Sequence, residues 1–510
     1  MAQIAYRGNL SANSFPFLSE NWGRTVIVPG SDNNYNRKIT STEDSDKDIG
    51  IPQIFYCHNV LPFAQGFKSV GYNEIYAKPG TGEAFNSQSL IRDDLGNKAY
   101  LIISTTGNYY INEGVSWSFK GNFGTGAVSI AYVSGITYIW IRFVGCYKYD
   151  FTTHAFVSVS ISGLTLVDTG VLPEDIIGIA PSFGYLLLYT TNTVLWSSTI
   201  DPTDFVPSLA TGAGNTAVEG VRGSITFCLP HTLGFMVYTE SNVVVALYSG
   251  NARYPFNFRE LVNSGGCASS ELVSYDSNSG DHYAYTTSGL QKISTQAGQT
   301  VFPELTDFIS GRLFEDFDDE TKTFSAEILT QPLAKKVTVV ADRYLVVSYG
   351  ITELTHALVY DLIQKRWGKL KIRHTDCFEN VFFSPGVVEL PKQSMSFLLQ
   401  DGSIQSIDLS IRNSNGVGCL LLGKFQYVRA RLLQIDEITV ENVHSTNFFL
   451  SLYTSLDGKT GTWNYPMELG SAGTMREYVC REIGLNHSLL LQGDFNLISF
   501  ELKFIVNARK

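Results

Sequence analysis

The chain has 510 residues, of which 44% are hydrophobic, 13% aromatic and only 17% charged, and its formal net charge is −11. That charge argues against tight, sequence-independent binding of nucleic acid, which requires a surplus of Lys and Arg on one face. No window approaches the roughly 18 apolar residues of a transmembrane helix, so no membrane span is expected. Many aromatic residues and 45 glycines favour strands and tight turns, and the composition predicts an all-β protein.

The first segment, residues 1–50, is polar and ends in the charged run Thr42–Asp48. Such a segment buries too little apolar surface to form a core of its own. We expect an extended N-terminal arm that lies over another surface and serves as an inter-subunit or inter-protein contact, with a solvated leader as the alternative. The first ten residues lack the charged and apolar regions of a signal peptide, so export by the usual route is not expected.

The first predicted strand is Gln53–Cys57. From Ile75 onward, apolar segments of about four to eight residues are bounded by Gly, Asn, Asp or Ser-Gly, which is typical of antiparallel strands. The clearest hairpin has the apolar run Tyr185–Tyr189, a polar break at Asn192, a second run Val194–Trp196 and a turn at Asp201–Asp204. Further predicted strands are Ala99–Ser104, Tyr109–Ile111, Ile136–Phe143, Phe235–Thr239, Val243–Tyr248, Asp281–Thr286, Val337–Val340, Tyr344–Tyr349, His356–Tyr360 and Met395–Leu399.

A combination of strand, Asp turn and aromatic residue recurs along the chain. It is clearest in Tyr147–Phe156 and Val359–Trp367. Looser copies lie at Leu195–Phe205, Tyr248–Phe258 and Ile404–Ile411. Asp361 and Asp408 are about 47 residues apart, within the roughly 40–50 residues of a four-stranded propeller blade. Because each blade buries its faces only against its neighbours, the array has to close. Residues 51–420 are therefore predicted to form a closed β-propeller of six or seven blades.

Beyond residue 420 the alternation of polar and apolar residues becomes more regular. Ile435–Val440, Phe448–Tyr453 and Leu497–Phe504 each present one apolar and one polar face as strands. We expect residues 421–510 to form a separate C-terminal β-sandwich.

Motifs for chemistry are absent from the sequence: there is no phosphate-binding loop, nucleophile elbow or zinc-protease motif. The seven cysteines form no CxxC pair and are expected to be buried free thiols. His374 and Cys377 are three residues apart, but no second pair completes a zinc site. The acidic run Glu315–Glu320 is expected to be a solvated turn. No catalytic residue, cofactor or metal is predicted, and the protein is expected not to be an enzyme.

One basic cluster remains. On a strand, Lys369, Lys371 and Arg373 share one face. This face is either a solvated sheet surface or a stripe that meets DNA or an acidic patch on a neighbouring subunit.

Several segments together carry a resemblance. Asn59–Pro62 followed by Gly66–Gly71 resembles the opening of the tail-hub, or nozzle, propellers of short-tailed (podovirus-type) bacteriophages. Further segments similar to that family are Leu195–Ser197, Asp201–Phe205, Tyr238–Tyr248, Ser264–Gly266, Tyr283–Leu290, Tyr360–Trp367 and Ser455–Gly458. The resemblance covers about residues 51–510. It implies a virion protein, made in the host cytoplasm, that forms a tail ring of usually six copies below the portal–adaptor assembly. Such a ring carries fibres or tailspikes and passes the genomic DNA through its centre.

Two other classes of function remain open. A glycan-processing propeller, similar to sialidases or lyases, would need Arg or carboxylate groups that converge at the central funnel. A carbohydrate-binding virion or surface protein without catalysis would need exposed aromatic side chains, for which Trp117 and Trp140 are candidates.

Overall fold

The computed structural model describes residues 2–9, 25–28, 54–63, 66–251, 254–303, 305, 314–318, 323–327, 334–351, 353–379, 394–408, 417–427, 432–442, 448–456, 461–464, 467–469 and 476–506. These residues form 43 β-strands and two short 3-10 helices, Pro173–Asp175 and Ser270–Leu272. The predicted all-β fold class is confirmed. No helix in the described part of the chain is long and apolar enough to cross a membrane.

Five four-stranded antiparallel sheets follow one another along the chain, each with its strands hydrogen-bonded in chain order. Sheet 1 contains Phe85–Arg92, Lys98–Ser104, Asn108–Asn112 and Trp117–Asn122. Sheet 2 contains Val128–Val133, Ile136–Ile141, Gly145–Asp150 and Ala155–Val159. Sheet 3 contains Gly178–Ser182, Tyr185–Tyr189, Thr193–Trp196 and Gly214–Ala217. Sheet 4 contains Ile225–His231, Gly234–Thr239, Val243–Tyr248 and Phe256–Glu260. Sheet 5 contains Val273–Asp276, Asp281–Thr286, Gly289–Ile293 and Gly298–Thr300.

Two further four-stranded groups follow. Sheet 6 contains Ala334–Val340, Tyr344–Gly350, Leu354–Asp361 and Arg366–His374. Sheet 7 contains Asp376–Glu379, Ser394–Leu398 and Ile404–Asp408, and its fourth strand is Asn73–Tyr76. Sheet 7 thus combines a strand that precedes sheet 1 with three strands that follow sheet 6. A succession of four-stranded antiparallel sheets is the arrangement found in β-propellers.

Part of the acidic run Glu315–Glu320 forms a strand, where the sequence predicted a solvated turn. Phe314–Asp318 is a strand that pairs antiparallel with Thr323–Glu327 in a separate two-stranded sheet. Residues 319 and 320, which complete the run, lie outside the described part. The predicted turn is therefore wrong for the part of the run that forms a strand.

Two larger sheets are built from the end of the chain together with its beginning. One continues sheet 6 through Val60–Phe63, Gly66–Ser69, Asn496–Val506, Leu433–Asn442 and Arg476–Gly484, and Ala2–Asn9 also pairs with Asn496–Val506. The other contains Thr25–Val28, Ile54–His58, Gly418–Tyr427, Phe448–Ser455, Gly461–Trp463, Met467–Leu469 and Asn486–Gly493. We call these two the C-terminal sheets. Residues before position 70, which the sequence divides between an arm and a propeller, thus supply strands to both.

The described parts of the N-terminal arm pair within the chain. Ala2–Asn9 runs antiparallel to the last strand, with Ala2 opposite Val506 and Asn9 opposite Ser499. Thr25–Val28 runs parallel to Gly418–Tyr427. Residues 10–24 and 29–50 of the predicted arm lie outside the described part.

One hydrophobic cluster joins the C-terminal sheets to sheet 6. Leu450 and Leu491 of one C-terminal sheet and Leu502 of the other belong to the same buried cluster as Leu345 and Leu358 of sheet 6. Each of these side chains is at most 2% exposed. Burial of that many aliphatic side chains, at about 1.5–3 kcal/mol each, holds the C-terminal sheets against sheet 6 as one packed unit.

Candidate functional site

The first strand of each numbered sheet lies next to the first strand of a neighbouring sheet. Contacts of this kind join sheets 2 and 3, sheets 3 and 4, sheets 5 and 6, and sheets 6 and 7, and the first strand of sheet 7 contacts that of sheet 1. A first strand has a sheet partner on one side only, so its outward N–H groups need other acceptors.

Short polar side chains supply several of those acceptors across the junctions. The Ser129 hydroxyl of sheet 2 accepts the N–H of Ile179 in sheet 3 at 2.9 Å. The Ser274 hydroxyl of sheet 5 accepts the N–H of Val339 in sheet 6 at 2.8 Å. Because each bond joins two different sheets, these hydroxyls fix neighbouring sheets against each other.

A buried ion pair occupies the junction where sheets 6, 7 and 1 meet. Lys336 Nζ lies 2.7 Å from Asp376 Oδ1, and the two side chains are 12% and 7% exposed. The other carboxylate oxygen, Oδ2, accepts the backbone N–H of Gln88 in sheet 1 at 3.2 Å. Burial lowers the pKa of Lys336, but the negative charges of Asp376 and Glu271 outweigh that effect and raise it above its ordinary value. Both carboxylate oxygens of Asp376 therefore have structural partners, and no free acid or base is present here.

The repeated Asp turn identified in the sequence has a common location. In sheets 2 and 6 it joins the third strand to the fourth. Asp150 Oδ1 accepts the N–H of Thr152 at 2.8 Å, and Asp361 Oδ1 accepts the N–H groups of Ile363 and Gln364 at 2.9 and 3.0 Å. Asp361 Oδ2 also forms an ion pair with Arg343 Nη2 at 2.6 Å, and the Asp361 side chain is 0% exposed. These aspartates are turn-forming residues, as the sequence pattern indicates.

The basic stripe is not one continuous surface. Lys371 and Arg373 are exposed on the strand Arg366–His374, whereas Lys369 is only 2% exposed. Lys369 pairs in register with Val60 and lies close to the buried Cys57, because strands from residues 54–63 cover this end of the strand. The expectation that Lys369 faces solvent, DNA or another subunit is therefore wrong. Arg373 Nε lies 3.6 Å from Glu353 Oε1 of the same chain, and the Arg373 side chain is 82% exposed.

The histidines at the sheet junctions are core residues. His374 is hydrogen-bonded to the Ile372 carbonyl at 2.8 Å and to the Ser348 hydroxyl at 2.7 Å, and it is 2% exposed. His282 is bonded to the Tyr238 hydroxyl at 2.7 Å. Burial lowers the pKa of both histidines to about 4. Neither imidazole has the solvent access that a general base requires.

The described residues contain no cluster of His, Cys, Asp or Glu that could hold a metal ion. Six cysteines are free and buried, as expected, and the side chain of Cys480 lies outside the described part. Burial raises the pKa of Cys57 and Cys146 to about 12, so both are protonated at neutral pH and unreactive.

The two tryptophans that were candidates for glycan binding are not exposed side chains. Trp140 is 3% exposed and belongs to a hydrophobic core, so it cannot form a binding platform, and Trp117 is half-buried. An exposed aromatic pair that the sequence analysis missed lies elsewhere: Phe183 and Tyr248 are stacked, with ring centroids 4.6 Å apart and an interplanar angle of 11°. They are 49% and 41% exposed. The sequence contains a signal for this exposed ring: Phe183-Gly184 forms the turn between two strands, a place where Asn-Gly is usual, so the Phe183 side chain lies at a hairpin tip.

Comparisons with known proteins identify no family for this chain. No protein-family model and no curated protein matches the chain. One similar solved structure is the extracellular domain of a hybrid two-component system from B. thetaiotaomicron, with 12% identity and a TM-score of 0.39 over 81% of this chain and 50% of that one. The chain therefore spans about half the length of that protein. A glycoside hydrolase has 9% identity and a TM-score of 0.26, covering 84% of this chain and 100% of that one. A luciferin-regenerating enzyme has 8% identity and a TM-score of 0.33, covering 67% and 96%.

Proposed function

We propose that the chain is a structural virion protein, the subunit of a ring-shaped tail nozzle of a short-tailed bacteriophage. In this proposal sheets 1–7 are the blades of a closed seven-bladed propeller, and the C-terminal sheets form a β-sandwich fixed to the sixth blade. Copies of the chain, six in the family it resembles, assemble below the portal–adaptor proteins. The ring anchors fibres or tailspikes and conducts the genome during ejection.

The observation that carries the proposal is how the two parts of the chain are joined. Val60–Phe63 pairs with Arg366–His374 of sheet 6, and Gly66–Ser69 pairs with the last strand of the chain. A hydrogen-bonded sheet thus runs from the sixth blade into the C-terminal sheets, with a shared core. This hairpin is also where the resemblance to nozzle proteins begins. A continuous sheet transmits force without a hinge, which suits a load-bearing ring.

The charged groups support a structural role over catalysis. Asp376, Lys336, Asp361 and Arg343 are all occupied in ion pairs that hold strands together. An enzyme needs perturbed and accessible acids or bases. In the described residues the strongly perturbed groups are buried tyrosines, cysteines and histidines.

Net charge supports a conduit that does not hold DNA. A ring of subunits that each carry a formal charge of −11 repels a polyanion. That repulsion reaches only about 8–10 Å in physiological salt, so it centres DNA without blocking a wide channel. Lys371 and Arg373 are the two exposed residues of the predicted stripe, and in this proposal they make brief contacts with DNA or a neighbouring subunit.

The test is to image phage particles that carry a labelled copy of the chain, and to measure the mass and symmetry of the purified assembly. We expect the label at the tail, a ring of about six copies, and no DNA binding below micromolar concentration near physiological salt. A label on the capsid, or sub-micromolar DNA binding, contradicts the proposal.

A second candidate is a glycan-binding propeller on the virion or cell surface. The exposed stacked pair Phe183–Tyr248 favours it, because pyranose rings bind to exposed aromatic faces. Binding of the purified protein to a glycan array that is lost in Phe183→Ser, with no turnover of the glycan, would support this candidate over the nozzle. Turnover that a single carboxylate substitution abolishes would instead show an enzyme.

A further inference from the structure

The last strand of the chain has an edge that the N-terminal strand fills. On one side, Asn496–Val506 pairs with Leu433–Asn442 over almost its whole length. On the other side, Gly66–Ser69 covers only Asn496 and Leu497. Ala2–Asn9 pairs with the remaining stretch, Ser499 to Val506. Without that strand, eight consecutive residues would present an unpaired edge, which sheet proteins avoid because it pairs with other chains.

The N-terminal segment makes the same kind of addition to the other C-terminal sheet. Thr25–Val28 pairs parallel with the second half of Gly418–Tyr427, from Lys424 to Tyr427. Each of these two N-terminal strands has one strand as its pairing partner in the described sheets. Ala2–Asn9 and Thr25–Val28 are therefore two edge additions, one to each of the C-terminal sheets.

The connection from this segment to the rest of the chain is long. About 25 residues separate Val28 from Ile54, enough to span about 80 Å when extended. That sequence includes the charged run Thr42–Asp48 and is poor in apolar residues, so it supplies few side chains for a hydrophobic core. An edge strand on a long polar connection can pair equally well with its own sandwich or with an identical sandwich nearby, because the strand-to-strand contacts are the same.

We propose that, in the assembled ring, the strands Ala2–Asn9 and Thr25–Val28 of each copy pair with the C-terminal sheets of the next copy. The partner of Ala2–Asn9 is then the Ser499–Val506 edge of a second chain, in the register described above. Such a head-to-tail exchange closes when the ring closes, and it adds main-chain hydrogen bonds between all neighbours. The inference rests on the proposed ring, since it requires a second copy beside the first.

The exchange is tested by disulfide formation between two differently tagged full-length chains. One carries Ala5→Cys and the other Lys503→Cys, which are opposite each other in the register. Opposed residues on antiparallel strands have Cα atoms about 4.5–5.5 Å apart, within reach of a disulfide. The chains are co-expressed, the ring is purified and oxidised, and the products are separated without reduction. Because each chain carries only one of the new cysteines, the two can be joined only if a strand pairs with another chain.

We expect a covalent dimer that contains both tags, and a ladder of covalent multimers from the double variant Ala5→Cys/Lys503→Cys. The matched control pairs Ala5→Cys with Ser499→Cys, which the register places four residues away, and should give at least tenfold less dimer. An intact ring in which the double variant forms only single-chain disulfides overturns the exchange and leaves the ring standing. A ring with no disulfide between these positions overturns the register as well. A protein that stays monomeric by light scattering overturns the proposed ring itself.

Discussion

Asp376 accepts the backbone N–H of Gln88 at 3.2 Å, and these two residues are 288 positions apart in the chain. The bond joins the first strand of sheet 7 to the first strand of sheet 1. Asp376 at the same time pairs with Lys336 of sheet 6. One carboxylate thus connects three sheets, and its loss should affect the whole array.

We expect Asp376→Asn to lower the free energy of unfolding by roughly 3–5 kcal/mol, because it leaves the Lys336 ammonium buried without its counter-charge. Urea or guanidinium unfolding followed by tryptophan fluorescence measures the change. The double variant Asp376→Asn/Lys336→Met keeps an oxygen for Gln88 and removes both charges, and should recover much of the loss. Lys78→Met is the control: its pair with Asp401 is 65% and 49% exposed, and its removal should cost less than about 1 kcal/mol. Equal effects of Asp376→Asn and Lys78→Met would show that the junction does not depend on this pair.

Lys369 and Lys371 provide a second contrast on one strand. Lys369→Glu places a carboxylate at a site that is 2% exposed, and we expect a loss of several kcal/mol or failure to fold. Lys371→Glu changes an exposed residue and should lower stability by no more than about 1 kcal/mol, which is typical of exposed charges. Thermal unfolding of the two variants side by side checks this. Similar melting temperatures would mean that Lys369 is not enclosed.

Stability should fall as the pH is lowered from about 6.5 toward 4. His374 has a folded-state pKa of about 4, below the ordinary value near 6.5, so in this window the unfolded chain takes up a proton that the folded chain does not. That difference favours unfolding by roughly 3 kcal/mol at the acid end of the window. The charges that act on this imidazole, Asp376 and Lys336, have opposing effects on its pKa.

The measurement is the unfolding free energy at several pH values for the wild type and for His374→Gln. The variant is expected to be less stable at pH 7.5 but to have a shallower slope between pH 6.5 and 4. His154→Gln, at a side chain that is 58% exposed, is the control for loss of a histidine and should lower the unfolding free energy at pH 7.5 far less than His374→Gln. An unchanged slope in His374→Gln would show that this histidine does not cause the acid sensitivity.

Gly234 and Gly145 have similar backbone conformations, with φ of 154° and 137°, but different surroundings. A Cβ at Gly234 would lie 1.9 Å from the carbonyl oxygen of Ala246 on the adjacent strand, whereas a Cβ at Gly145 would meet nothing within 4 Å. Gly234→Ala should therefore break the pairing in sheet 4 and prevent folding to a soluble protein. Gly145→Ala should cost about 1–2 kcal/mol, from backbone strain alone. Soluble yield and circular dichroism compare the two, and equal yields would be inconsistent with the close approach at Ala246.

Local structure was predictable because its causes are local. Tyr185–Tyr189 and Val243–Tyr248 are strands with the predicted bounds, since an apolar run between turn residues defines a strand without information from elsewhere. The Asp turn at Asp361 was also recognisable, because its side chain bonds to N–H groups two and three residues later.

Long-range pairing was not predictable from those patterns. Asn73–Tyr76 has four residues and no strong strand pattern, yet it completes sheet 7 by pairing with Ile404–Asp408. Lys369 was assigned to the wrong environment because the strands that cover it come from residues 54–63. Asp376 was overlooked because nothing in its own neighbourhood shows that Lys336 and Gln88 meet it. The candidate site lies at the junctions between sheets, where residues that are far apart in the sequence meet. Their proximity cannot be read from the order of residues along the chain.

The origin of the fourth strand of sheet 7 also sets an order of events during protein synthesis. Asn73–Tyr76 leaves the ribosome early, but its partner Ile404–Asp408 follows roughly 330 residues later, which is about 15–65 s at ordinary rates of translation. Sheets 1–5 can form while the chain is still growing, whereas Asn73–Tyr76 must wait unpaired until the seventh sheet emerges. A chain interrupted before Ile404 would keep that edge open, so premature termination should yield aggregation-prone fragments.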